Sequence, residues 1–153
     1  MIKRISYDEA CNIKNWAGFD VKNTPIFKEA NEMGHEICIN TDSSPATLEI
    51  IVKEELDDKN FGFLIVPTKN EVWVYSVIDI GYGPRSGLNI CTCRHDDSLS
   101  TIISKARSEA NKCPVCGKEV SFKDQERYSF AGRCCKDCLP AMKDKYEQPG
   151  WYN

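Results

Sequence analysis

The sequence predicts an α+β fold, a small antiparallel sheet with helices over residues 1–112, followed by a compact cysteine-rich module over residues 113–153. Three observations lead there. Phe61 to Pro67 and Glu71 to Ile80 are dense in β-branched and aromatic residues and are separated only by the polar Thr68-Lys69-Asn70, the pattern of a hairpin. Two other segments, near residues 25–33 and 97–111, space their apolar residues at the helical period. Two Cys-x-x-Cys pairs then set the last forty or so residues apart.

Taken in order, Ser6-Tyr-Asp-Glu9 is a capping box, in which hydroxyl and carboxylate each satisfy a free backbone N–H, and it opens a short helix through Trp16 that Gly18 stops. Thr24-Pro25 starts a second helix with Ile26, Phe27, Ala30 and Met33 on one face; Gly34 ends it, and His35 to Asn40 is extended. Ser44-Pro45 is read as the start of a third helix with a stripe of Leu48, Ile51, Val52 and Leu56, although Ile50-Ile51-Val52 also suits a strand core. The charge run Glu54, Glu55, Asp57 and Asp58 would sit poorly at a helix C-terminus, where the dipole favours cations. After the hairpin, Gly81 to Gly87 is a loop and Leu88 to Cys93 a third strand. Asp97-Ser98 caps a helix through about Asn111 that buries Leu99, Ile102, Ile103, Ala106 and Ala110.

The net charge of −3 is uneven, with an acidic excess over residues 1–112 and a slight basic one over residues 113–153, so neither part is a polyanion binder by charge alone. No apolar run is long enough to cross a bilayer and no secretory apolar segment follows Met1, which points to a cytosolic protein. Nine cysteines, an odd number with no export signal, argue for thiolates that bind metal rather than for a disulfide framework. Cys11 and Cys38 are read as small buried hydrophobes.

Cys113-Pro-Val-Cys116-Gly117 and Cys135-Lys-Asp-Cys138 have the spacing that lets paired sulfurs reach one zinc ion about 2.3 Å away. Gly117 can take the positive φ that turns amides toward the sulfurs. The intervening residues suit a hairpin with Val120 to Phe122 and Arg127 to Phe130 as strands and a turn near Lys123 to Glu126. Asp137 can cap a helix from Cys138, with Pro140 harmless in its first turn and Pro149-Gly150 ending it. The positive end of that helix would favour the thiolates. Cys134 competes with Cys135 as a ligand, since a three-residue gap to Cys138 is also within range. Four thiolates leave no open position for water activation, which makes the metal structural rather than catalytic.

Other candidates are weaker. Cys91, Cys93 and His95 bring three metal-capable side chains to one strand face, with His35 the remaining ligand for a second site; buried strand cysteines are the ordinary reading. Arg85 in the Gly81 to Gly87 loop matches neither phosphate-loop nor dinucleotide spacing. Asp79 with Glu49 and Lys53 could form a nuclease-like carboxylate site, but the pattern does not require it, and His35 and His95 lack the partners of an acid/base pair.

A knuckle, a hairpin and a helix delivering the last pair is the order of a treble-clef zinc finger, which residues 113–147 resemble. The run Tyr128-Ser-Phe-Ala-Gly-Arg133-Cys-Cys-Lys-Asp-Cys138-Leu-Pro140, closing with Gln148-Pro-Gly-Trp-Tyr152, resembles the tail of small uncharacterised bacteriophage proteins. That resemblance covers the last quarter of the chain and implies an accessory protein in the cytosol of a bacterial host, binding and inhibiting or redirecting a host component such as a defence protein. A non-enzymatic binding protein is therefore the first expectation, and the acidic excess over residues 1–112 suits a basic protein partner. The alternative is nucleic-acid binding through Lys118, Lys123, Arg127, Arg133 and Lys136 with Tyr128 and Phe130 stacking on bases. A nuclease or nucleotide-acting enzyme in the N-terminal part is the third. Trp151 and Tyr152 carry apolar area that so small a finger can hardly bury, and are expected to dock on the preceding domain.

Overall fold

The computed structural model describes residues 2–42, 44–56, 59–78, 85–128 and 132–146. Its main element is a six-stranded antiparallel sheet in sequential order, β1 (Ile2–Ile5), β2 (Glu36–Asn40), β3 (Thr47–Leu56), β4 (Lys59–Pro67), β5 (Val72–Ile78) and β6 (Arg85–Cys93). Helices α1 (Tyr7–Cys11) and α2 (Pro25–Met33) fall between β1 and β2, and α3 (Leu99–Ala110) follows β6. The cysteine-rich end holds a two-stranded sheet of β7 (Glu126–Arg127) and β8 (Arg133–Cys134), then α4 (Leu139–Tyr146). The chain divides into two compact units, residues 1–106 and 107–153, the division falling within α3. The fold is α+β, and no helix among the described residues is long and apolar enough to cross a membrane.

Local chemistry explains most of the helix ends. The Ser6 hydroxyl accepts from the Glu9 N–H at 3.1 Å while the Glu9 carboxylate accepts from the Ser6 N–H at 3.3 Å, completing the capping box. α1 is shorter than the expected helix through Trp16. It stops at Cys11, after which the buried Asn15 side chain brackets a turn by bonding both the N–H and the carbonyl of Phe19. Pro25 opens α2 and Gly34 closes it at φ 80°, a left-handed conformation that costs little only without a Cβ.

The expected third helix is a strand, β3. Its pattern misleads because a central strand with apolar groups on both faces reads as a continuous run rather than an alternation. Leu48, Ile50 and Val52 are buried on one face, and Glu49 and Ile51 on the other. Asp57, Asp58, Asp79 and residues 81–84 lie outside the described residues, as does the closing segment from Glu147 to Asn153. β4 and β5 form the expected hairpin, joined where the Thr68 N–H donates to the Glu71 carbonyl at 2.7 Å. β1, too short and polar to stand out in the sequence, pairs with β2 from Ile2↔Asn40 to Ile5↔Ile37.

Register places Ile50 opposite Ile65 and Ile65 opposite Val74, with Val52 opposite Phe63, so these side chains share one face, and all are fully buried. Ile26, Phe27, Ala30, Leu99 and Ile102 are equally buried and supply the helical half of this core. Phe19 stacks on Phe27 at 5.5 Å between ring centroids, and the Glu29 carboxylate accepts from the Leu99 N–H at the start of α3. The opposite face carries a second cluster of Cys38, Ile51 and Leu64, with Ile2, Val66 and Tyr75 packed against it.

Candidate metal centre

The knuckle forms directly after α3. The Cys113 N–H donates to the Lys118 carbonyl and the Gly117 N–H to the Cys113 carbonyl, each at 2.8 Å, and Lys112 bridges Glu119. Gly117 sits at φ 77°, the conformation that this tight turn needs. Asn111 holds the segment after the knuckle, its carbonyl accepting from Val120 N–H and its Oδ1 from Phe122 N–H, both at 3.0 Å. Gln125 carries no signal in the sequence, yet its buried amide donates to the carbonyls of Ala110, Lys112 and Val120 at 3.0 to 3.1 Å. No local pattern marks such a residue, because its partners are 5 to 15 positions away.

The hairpin differs from the expected one. Val120 to Phe122 is not a strand; a single 3-10 turn occupies Phe122–Asp124, and the pairing is Glu126↔Cys134 and Arg127↔Arg133. Strand and turn deliver Cys135 just after β8. Cys138 then precedes α4, its carbonyl accepting from the Met142 N–H at 3.1 Å, so the last sulfur sits at the N-terminal end of a helix with Pro140 in its first turn.

These elements bring the sulfurs of Cys113, Cys116, Cys135 and Cys138 within 4.8 Å of one another, a group that could hold a metal ion. The Cys116 and Cys135 sulfurs are 3.7 Å apart. A tetrahedron of sulfurs about 2.3 Å from a central ion has edges of about 3.8 Å, whereas disulfide sulfurs lie about 2.05 Å apart. None of these four cysteines is in a disulfide. The Cys135 N–H points at the Cys113 sulfur at 3.3 Å. Burial pushes the Cys113 thiol up, but the N–H groups of Cys135, Cys116 and Val115 outweigh it and bring its pKa down to about 6, favouring thiolate at neutral pH. Cys138 is pushed well up by its hydrogen bond to Cys135, by burial and by the neighbouring thiols. A divalent cation would reverse that penalty, since it deprotonates the thiols it coordinates.

Cys134 stands outside this group. It has no exposed surface and packs with Cys113 and Cys135 in a cluster with Val120, Tyr128, Leu139 and Met142, and burial followed by the nearby sulfurs raises its pKa. Among the described residues, Cys91, Cys93 and His95 make no comparable group. Cys91 and Cys93 oppose Val74 and Val72 across β5, Cys93 being buried, while His95 bonds the Thr68 carbonyl through Nε2 at 2.5 Å and meets Phe19 edge-on. Glu49 and Lys53 share a face of β3, but Lys53 pairs with Glu36 at 3.3 Å; Asp79 and the rest of the expected carboxylate site lie outside the described residues. Arg85 begins β6 rather than lying in a loop. Of the basic residues of the C-terminal unit, Arg133 is buried with its guanidinium 4.1 Å from the Phe122 ring centre, and Lys118 lies 3.2 Å from an Asp137 oxygen. Phe130 lies outside the described residues.

Comparison with protein-family models, with curated proteins and with solved structures finds no match for this chain.

Proposed function

We propose that this is a non-enzymatic, zinc-containing binding protein whose C-terminal unit is a treble-clef finger. The spacing of the four sulfurs around one point, with a 3.7 Å Cys116–Cys135 edge, carries the reading. Zinc is the ion of choice for four thiolates in a tetrahedral arrangement, and a site filled by four thiolates has no position left for a reacting water. Its role is then to hold a small unit in shape. Protein purified without added metal should carry one zinc per chain by elemental analysis, and a content near zero in folded protein would end the proposal.

The partner is a protein rather than a nucleic acid in this reading. Two of the five basic side chains that would contact phosphates, Arg133 and Lys118, are already engaged within the chain. The likeness of the terminal run to bacteriophage proteins supports an accessory role in a bacterial host, with a basic host protein, for instance one of a defence system, as the target. Capture from bacterial lysate followed by mass spectrometry tests it; nucleic acid binding that falls steeply with salt would favour the alternative instead.

A further inference from the structure

The face of the sheet that carries Cys38, Ile51 and Leu64 also holds a cavity of about 370 Å³, within the size range of ligand pockets. Glu49 lines it together with Trp16, Trp73 and Tyr75. The glutamate is only 5% exposed, and its Oε2 is buried without a hydrogen-bond partner. Asn40 donates to the carboxylate, but no cation among the described residues offsets it. Among the described residues, the cations Arg4 and Lys53 on this face both pair with Glu36. Asp42 adds negative potential, and burial first, then Asp42, raise the Glu49 pKa in spite of Asn40. A buried carboxylate oxygen left unpaired is costly, and few native structures keep one without a reason.

The aromatic walls are held in place yet open. The Trp16 backbone N–H donates to the Ala46 carbonyl at 2.8 Å, which anchors it beside the start of β3, and the residue is 57% exposed. The Trp73 indole N–H donates to the Glu71 carboxylate at 2.7 Å, and the residue is 37% exposed. A cation fits both halves of the site, because ring faces attract positive charge and the carboxylate supplies an acceptor for an N–H. Glutamate's terminal torsion is soft, so its free oxygen can turn toward the cavity at little cost.

We propose that the cavity of Glu49, Trp16, Trp73 and Tyr75 is a binding site for a guanidinium group. Guanidinium is planar, stacks on aromatic faces and is more weakly hydrated than ammonium, so it enters a buried, carboxylate-floored site more cheaply. A small molecule or an arginine side chain of a partner protein can supply the group, and the two sources are separable. The site is independent of the cysteine group, so either can fail without the other.

The test is calorimetric titration of the zinc-loaded full chain with ethylguanidinium, N-acetyl-arginine methylamide and N-acetyl-lysine methylamide, with the indole N–H signals of Trp16 and Trp73 followed by NMR. The guanidinium probes should bind saturably, shift both indole signals and outcompete the lysine probe. Glu49→Gln, which preserves shape, should lose about tenfold or more in affinity, as expected for a charge-assisted bond. Trp73→Leu should weaken binding while leaving the carboxylate in place, a second check should Glu49→Gln perturb the fold. Tighter binding of N-acetyl-arginine methylamide than of ethylguanidinium assigns the site to a partner's arginine, and equal or weaker binding to a small molecule; both support the site. Absence of saturable binding into the tens of millimolar, unchanged affinity in folded Glu49→Gln, or equal or tighter binding of the lysine probe overturns the proposal.

Discussion

Replacing Cys138 by Ser should unfold the C-terminal unit while leaving residues 1–106 folded. Among the described residues of that unit, the buried hydrophobic side chains are Ala110, Cys113, Phe122, Cys134 and Cys135, so Phe122 is the one large apolar group buried there. Burying such a side chain contributes about 1.5–3 kcal/mol, far below the ~10–16 kcal/mol of a structural zinc site. Shared among four thiolates, each ligand accounts for ~2.5–4 kcal/mol, so one lost sulfur should weaken zinc binding by about two to three powers of ten. The assay pairs elemental zinc analysis after dialysis against a weak chelator with limited proteolysis read by mass spectrometry. Cuts should appear between residues 113 and 146 in Cys138→Ser and in chelated wild type, and not within the six-stranded sheet. Wild-type zinc content in Cys138→Ser, or a chelated chain as protease-resistant as before, would refute the reasoning.

Cys134→Ala offers the contrast, because Cys134 is buried but outside the four-sulfur group: zinc content should stay at one per chain while stability falls by about 1 kcal/mol, measured by denaturant melting. Phe27→Ala should cost about 3–5 kcal/mol in the first unit, since the ring is fully buried and stacked on Phe19. Gly34→Ala, at φ 80°, should lower stability by about 1 kcal/mol through left-handed strain alone, with nothing within 4 Å to clash. Glu49 makes stability depend on pH. Its folded pKa is raised, so the folded state holds the proton more tightly and stability falls as pH rises from the ordinary carboxyl value of about 4.3 through the raised one. Asp42, Cys38 and the Glu36 pairs with Arg4 and Lys53 surround it. Glu49→Gln should flatten that part of the profile in melts across pH, and an unaltered slope would contradict the assignment.

The features legible in the sequence are those decided within a few residues of themselves. The capping box of Ser6 and Glu9, the Pro25 start and Gly34 stop of α2, the stripe of α3 and the β4–β5 hairpin around Thr68 each depend on local spacing, backbone freedom or a side chain bonding its own neighbourhood. The two Cys-x-x-Cys pairs belong here too, because a two-residue gap already constrains where sulfurs can meet. Tertiary structure decided what depends on distant partners. β3 is a strand because β2 and β4 flank it and both its faces are buried, a circumstance that its own apolar run conceals. β1 exists because β2 offers it a ladder. Cys135 rather than Cys134 joins the four sulfurs because β8 ends between them: both side chains are buried in the same cluster, but only the Cys135 sulfur comes within 3.7 Å of Cys116 and into the four-sulfur group. Glu49, one acidic residue among many in the sequence, becomes a buried carboxylate with an unpartnered oxygen only when the sheet covers it while Arg4 and Lys53 pair with Glu36, since burial and pairing are properties of the assembled chain and not of its spacing.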